Sequence, residues 1–177
     1  YVSGGYFDTD GWARACYWVN GSATKLEVPD RSIVEGPDYS ESILVSGGKI
    51  YIAGSYNNND YRNAPCYWVD GVLTTLTLPA GASEGAAASI AVLDGKIYAV
   101  GYHANSSGTS TPGYWLDGSF VQLSLPDGAS FRSSETMNIA ISDNKVYVMG
   151  TYFQDSRYYP CVWIDGTRNE LVSAGSA

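Results

Sequence analysis

Apolar residues fall in short runs along this chain, and pairs such as Asp-Gly cut the runs apart. Ser89-Ile-Ala-Val-Leu93 leads into Asp94-Gly95 and then Lys96-Ile-Tyr-Ala-Val-Gly101. After a polar segment come Gly113-Tyr-Trp-Leu116, the pair Asp117-Gly118, and Phe120-Val-Gln-Leu-Ser-Leu125, closed by Pro126. Two-residue Asp-Gly links between apolar runs are strong hairpin signals, because both residues tolerate the positive φ of a primed turn. The stretch therefore predicts four antiparallel strands, A to D. Ile90–Val92 and Ile97–Val100 are apolar at consecutive positions, so both faces of such a sheet are expected to be covered. No apolar stripe with the 3.6-residue period and caps of a helix occurs.

The same text is written almost four times. Tyr17-Trp18-Val19-Asn20-Gly21 returns as Tyr67-Trp68-Val69-Asp70-Gly71, Tyr114-Trp115-Leu116-Asp117-Gly118 and Val162-Trp163-Ile164-Asp165-Gly166, with the tryptophans 50, 47 and 48 residues apart. A second phrase, Tyr-x-x-Gly, ends at Gly4, Gly54, Gly101 and Gly150. Further hairpin pairs stand at Gly47-Gly48 and Asp143-Asn144. Four strands in a repeat of about 48 residues predict an all-β fold, a β-propeller of about four blades of four antiparallel strands. The blades would occupy 1–41, 42–88, 89–137 and 138–177 of one domain spanning 1–177. The first blade opens at strand B, Tyr1–Gly5, and is expected to lack its innermost strand; the fourth has a weak D strand around Asn169–Val172. Additional repeats or self-association would complete the first blade.

Gly-Lys-Ile-Tyr-x-x-Gly after an apolar strand, at Gly48–Gly54 and Gly95–Gly101, resembles the Kelch-type blade. The Kelch double glycine survives only at Gly4-Gly5, and the tryptophan falls on strand C rather than D. Val146-Tyr-Val-Met-Gly150, Tyr67-Trp68-Val69-Asp70-Gly71, Leu76 and Ser42-Ile-Leu-Val-Ser-Gly47 are more similar to repeats of bacterial, largely Bacteroidetes-type, secreted proteins and lipoproteins. That resemblance spans the chain and implies an exported propeller-like protein. It carries over no catalytic residue, and the lysine that commonly follows the tryptophan there is missing here.

Charge and composition narrow the function. Eighteen acidic against ten basic residues give a formal charge of −8, a field that repels phosphate backbones and argues against nucleic acid. No apolar run reaches the length of a membrane span. Abundant Gly, Ser, Thr, Asn and Tyr with little Lys point to an extracellular or cell-envelope protein. Asn20-Gly21-Ser22 and Asn105-Ser106-Ser107 are glycosylation sequons. Cys16, Cys66 and Cys161 each stand two residues before a repeat tryptophan, with Gly113 in the third repeat. Equivalent positions a blade apart are beyond disulfide reach, and with His103 as the single histidine no zinc set forms. The cysteines read as small buried hydrophobes, and no cofactor or metal is expected.

Because A–B and C–D links are tight, the longer B–C and D–A links would share the opposite rim, where a site belongs. The B–C loops are expected from Tyr6 to Ala15, Tyr56 to Pro65, His103 to Pro112 and Tyr152 to Pro160, with no common motif beyond an aromatic or histidine start. Tyr6, Trp12, Tyr56, Tyr61, His103, Tyr152 and Tyr158 are the candidate ligand-binding residues, suited to a glycan or a surface protein. Asp8-Thr9-Asp10-Gly11 resembles the start of a calcium loop without the later carboxylate that completes one. Asp38, Glu41, Glu84 and Glu135 fall on connectors of differing length, so no glycosidase pair is defined, and no nucleophile elbow accompanies His103. These features point away from an enzyme. They favour a non-catalytic extracellular scaffold or self-assembling surface subunit, with a ligand-binding propeller as the alternative.

Overall fold

The computed structural model describes residues 1–29, 38–133 and 137–171, and these contain strands and turns without helix. The first sheet is β1 (Val2–Phe7), β2 (Ala13–Val19) and β3 (Ser22–Lys25). The second is β4 (Asp38–Ser46), β5 (Lys49–Asn57), β6 (Asn63–Val69) and β7 (Val72–Thr75). The third is β8 (Ala82–Leu93), β9 (Lys96–Asn105), β10 (Ser110–Leu116) and β11 (Ser119–Gln122). The fourth is β12 (Asn138–Ser142), β13 (Lys145–Gln154), β14 (Arg157–Ile164) and β15 (Thr167–Glu170). Each sheet is an antiparallel meander in chain order, three-stranded in the first and four-stranded in the others.

The hairpin pairs form as their residues dictate. Asn20-Gly21, Asp70-Gly71, Asp94-Gly95, Asp117-Gly118 and Asp165-Gly166 all have positive φ at both residues, as do Gly47-Gly48 and Asp143-Asn144. The turn aspartates do a second job. Asp70 Oδ1 accepts the Ile50 N–H and Asp165 Oδ1 accepts the Val146 N–H, each at 2.9 Å, which ties the C–D turn to the start of strand B.

Register is the same in all four sheets. Trp18 pairs with Val2, Trp68 with Ile52, Trp115 with Ala99 and Trp163 with Val148. The period of two then puts the glycine of the second phrase on the tryptophan's face. At two of these glycines the reason for glycine is steric. A Cβ at Gly54 would lie 1.9 Å from the Tyr39 carbonyl oxygen, and one at Gly101 would lie 1.9 Å from that of Ala86. Beside each, the inner strand bulges, between Ser40 and Ser42 and between Ala87 and Ser89.

Both faces of the inner sheets are covered, as the consecutive apolar positions require. Tyr17 and Leu26 of the first sheet meet Ile52, Tyr56 and Trp68 of the second. Ala53 and Leu76 meet Ile90, Ala99 and Trp115. Val100 and Leu123 meet Ile139, Val148, Tyr152 and Trp163. Each junction carries one repeated hydrogen bond, in which the indole N–H donates to a carbonyl just past the last strand of the preceding sheet. Trp68 bonds to Glu27 at 2.9 Å, Trp115 to Thr77 at 2.8 Å and Trp163 to Ser124 at 2.9 Å. Packing thus runs from first sheet to second, third and fourth. Among the described residues the fourth does not pack on the first to a comparable extent.

Strand ends depart from the sequence reading. β8 reaches back to Ala82 and β4 to Asp38, because small residues such as Ala86 and Ala87 pair closely along β9. The B–C loops shrink to residues 8–12, 58–62 and 106–109. The fourth is not a loop at all. Asp155 and Ser156, at φ 48° and 62°, make a two-residue turn, and Tyr152 to Pro160 lie otherwise on β13 and β14. The weak final strand is present as Thr167–Glu170, while Val172 and the tail beyond it lie outside the described residues.

Candidate functional site

The three remaining B–C loops share a chemistry that their sequences disguise. In each, the side chain of the residue that opens the turn, the last of β9 in the third case, folds back onto the loop. Asp8 Oδ1 accepts the N–H groups of Asp10 and Trp12 at 3.0 and 2.9 Å. Asn58 Oδ1 accepts from Asp60 and Arg62, and Asn105 Oδ1 from Ser107 and Thr109. The fourth position is left-handed in all three, at Gly11, Tyr61 and Gly108. The common signal is Asp or Asn followed three residues later by a residue at positive φ; Tyr61 at that place hides it, since non-glycine residues are uncommon there.

In the first loop both Asp8 carboxylate oxygens are engaged within the protein. Asp8 Oδ2 pairs with Arg14 Nε at 2.5 Å, and Arg14 Nη1 stands 3.7 Å from Asp38 Oδ2. The N–H of Trp12, and with it the Arg14 guanidinium, holds the Asp8 carboxyl below the ordinary carboxylate value. Arg62 makes a related reach to the next sheet, donating to Ser83 Oγ at 3.0 Å. Among the described residues no group of three or more His, Cys, Asp or Glu could hold a metal ion.

The predicted aromatic set is dispersed. Tyr6, Tyr56, His103 and Tyr152 are register equivalents two residues beyond the repeat glycine, so they share the tryptophan face, which the preceding sheet covers in the second, third and fourth sheets. Tyr56 and Tyr152 are accordingly buried. Tyr56 Oη lies 3.0 Å from Thr75 Oγ1 and Tyr152 stacks on Tyr159. His103 stands edge-on to Phe120 at 4.8 Å, and burial pushes its pKa down. Tyr6, Trp12, Tyr61 and Tyr158 are exposed. Asn20 is exposed at a turn tip. Cys16, Cys66 and Cys161 are buried, and the Cys161 thiol is directed at the Gly150 carbonyl at 3.8 Å.

A concavity lies elsewhere, where the inner strands converge. It is a cleft of about 810 Å³ lined from all four sheets, by Val2 and Ser3, Tyr39 and Glu41, Ser89 and Tyr102, and Asn138 among others. None of the seven aromatic and histidine candidates lines it. The bulge in β4 explains Glu41: Ser40 pairs with Gly54 and Ser42 with Ala53, leaving Glu41 as the extra residue. A bulge re-aims the side chain it carries. Ala88, the extra residue of the β8 bulge, also lines the cleft. Ser89 Oγ donates to Asn138 Oδ1 at 2.9 Å across from the third sheet to the fourth. Burial raises the Tyr102 pKa, against a hydrogen bond from Ser133, and the Glu84 and Glu41 charges add to the rise. The sequence pattern puts Glu41 on a connector, whereas it lies within β4. The repeat glycine opposite it, which marks the close approach, was the available signal. Glu135 lies outside the described residues.

Taken together, these features define an all-β repeat protein of successive antiparallel sheets with a polar cleft at their inner edges. No known family model and no curated protein matches the sequence. Solved structures do share the fold. A fucose lectin from Kordia zhangzhouensis, solved in complex with methyl-fucoside, superposes with a TM-score of 0.56 at 13% identity, over 75% of this chain and 97% of that one. A sucrose-6-phosphate hydrolase from Lactobacillus gasseri gives 0.53 at 13% identity, over 92% of this chain and 42% of the hydrolase.

Proposed function

We propose that this chain is a non-catalytic carbohydrate-binding module of β-propeller type, with its sheets as blades and its ligand in the inner cleft. The observation that carries the reading is the lining of that cleft. Glu41 supplies acceptors, Asn63 and Asn138 supply donors and acceptors together, and Tyr39 and Tyr102 supply ring faces with hydroxyls. Vicinal sugar hydroxyls need close-set acceptors and donors, and the C–H face of a pyranose needs an aromatic surface. The likeness to a lectin supports binding over the scaffold role that the sequence alone favours. A non-catalytic site is supported by His103, whose ring is wedged on Phe120 outside the cleft. Composition supports an extracellular or envelope location.

The test is a glycan array followed by calorimetry, starting with methyl-fucoside as probe. Glu41→Ala and Tyr102→Ala are expected to weaken binding at least tenfold, and Trp12→Ala to leave it unchanged. Loss in Trp12→Ala or Tyr61→Ala alone would move the site to the loop rim. No binding to any glycan would end the reading.

A further inference from the structure

The contact that joins sheet to sheet is made three times inside the chain, and its two halves recur, uncovered, on the outer sheets. One half is the tryptophan face. In the second sheet Ile52, Tyr56 and Trp68 are buried, and in the fourth Val148, Tyr152 and Trp163 are buried. The first sheet has Val2, Tyr6 and Trp18 in the same register. Here Val2 is 59% exposed and Tyr6 39%, and Trp18 is half-buried. No acceptor for the Trp18 indole N–H is present among the described residues, whereas the other three repeat tryptophans each have one.

The other half is the face that receives the tryptophan. Leu26, Leu76 and Leu123 are buried, and each directly precedes the residue whose carbonyl accepts the indole. Their equivalent is Leu171, placed by the matching backbone bonds of Leu76 to Pro65, Leu123 to Pro112 and Leu171 to Pro160. Leu171 is 51% exposed. Met149 is 46% exposed where Ala53 and Val100 are fully buried, and Pro160 is exposed where Pro65 and Pro112 are buried.

We propose that two copies of this chain join head to tail, the Val2–Tyr6–Trp18 face of one seated on the Met149–Pro160–Leu171 face of the other. The occupant is identified by the chemistry of the existing junctions. The Val2–Tyr6–Trp18 face repeats the covered Ile52–Tyr56–Trp68 face, and Pro160 and Leu171 repeat the proline and leucine of the two faces that receive a tryptophan inside the chain. Apolar faces of this kind cost free energy in water, and repeat arrays cover them with a capping unit or a partner. Because the two faces differ, the contact is heterologous and builds a ring or a filament rather than an isologous pair.

Sedimentation velocity on the whole chain tests this with two variants that each disable one half at an exposed position, Val2→Asp and Leu171→Asp. The wild type is expected to form species larger than one chain as concentration rises, and each variant to remain a monomer with an unchanged circular dichroism spectrum. An equimolar mixture of the two should form dimers that grow no further, since one intact face of each kind remains. A monomeric wild type with Trp18 shielded from quenchers would mean that the chain closes on itself, and would overturn the proposal. So would variants that still associate alone, or a mixture that stays monomeric.

Discussion

Phe120 takes, in the third sheet, the space that a cysteine takes in the other three: a Cβ on Gly113 would lie 2.2 Å from its ring. The ring is held edge-on between Trp115 and His103, each at 4.8 Å. One residue substitution in the repeat is thus explained by its neighbour across the strand. Where the cysteines remain, they are inert by position. Burial, and then the Asp38 charge, pushes the Cys66 thiol well above 9.0, and burial raises that of Cys16. Since the thiolate is the nucleophile, iodoacetamide is expected to leave all three native cysteines unlabelled and to modify all three in urea. Stoichiometric labelling of the folded protein would contradict their placement. Asp8 makes a pH prediction. Its folded pKa is depressed below 3.8, chiefly by the Trp12 N–H and then by Arg14. A depressed carboxylate contributes stability that is complete above the unfolded value and disappears as pH falls through the folded one. The thermal midpoint advantage of wild type over Asp8→Asn should therefore be constant well above pH 3.8, start to decline near it, and disappear as pH falls through the lower folded value. An advantage that persists in acid would exclude this linkage.

Between elements, the repeated indole bond makes a comparison possible within one chain. Trp115→Phe removes the donor to the Thr77 carbonyl in a fully buried junction. The stranded acceptor and lost volume should cost about 2–4 kcal/mol. Trp18→Phe, on a face that is open in the single chain, should cost no more than about 1 kcal/mol at low protein concentration. Urea unfolding of the two variants decides it. Equal losses would mean that Trp18 is as covered as its equivalents.

For the whole molecule, the main packing among the described residues is within a sheet and with the next one along, so stability is expected to behave as a sum of units and junctions. Weakening the first junction with Trp68→Phe should raise amide exchange around Ile52 while leaving the Val148 region, two junctions away, protected. Uniform loss of protection would show a single cooperative unit instead. The inner cleft belongs to this scale too, because it draws its lining from all four sheets.

How much of this was legible differs from residue to residue. The strands, the primed turns and the shared register followed from local chemistry. Asp-Gly and Asn-Gly pairs adopt positive φ wherever they stand, and a period of two fixes which residues face together. Buried cysteines and a tryptophan junction followed from the repeat. The site did not, for two physical reasons. Tyr56 and Tyr152 read as exposed loop aromatics, but strand extension moved them onto a face that the neighbouring sheet buries. Glu41 read as a connector residue, but a bulge opposite a glycine that leaves no room for a Cβ turned it into the cleft. Sequence by itself determined the repeating unit and its hydrogen-bond grammar, because both are local. Only tertiary structure decided which copies of equivalent residues are covered and which face solvent, because burial depends on the neighbouring sheet and not on the residue that is buried.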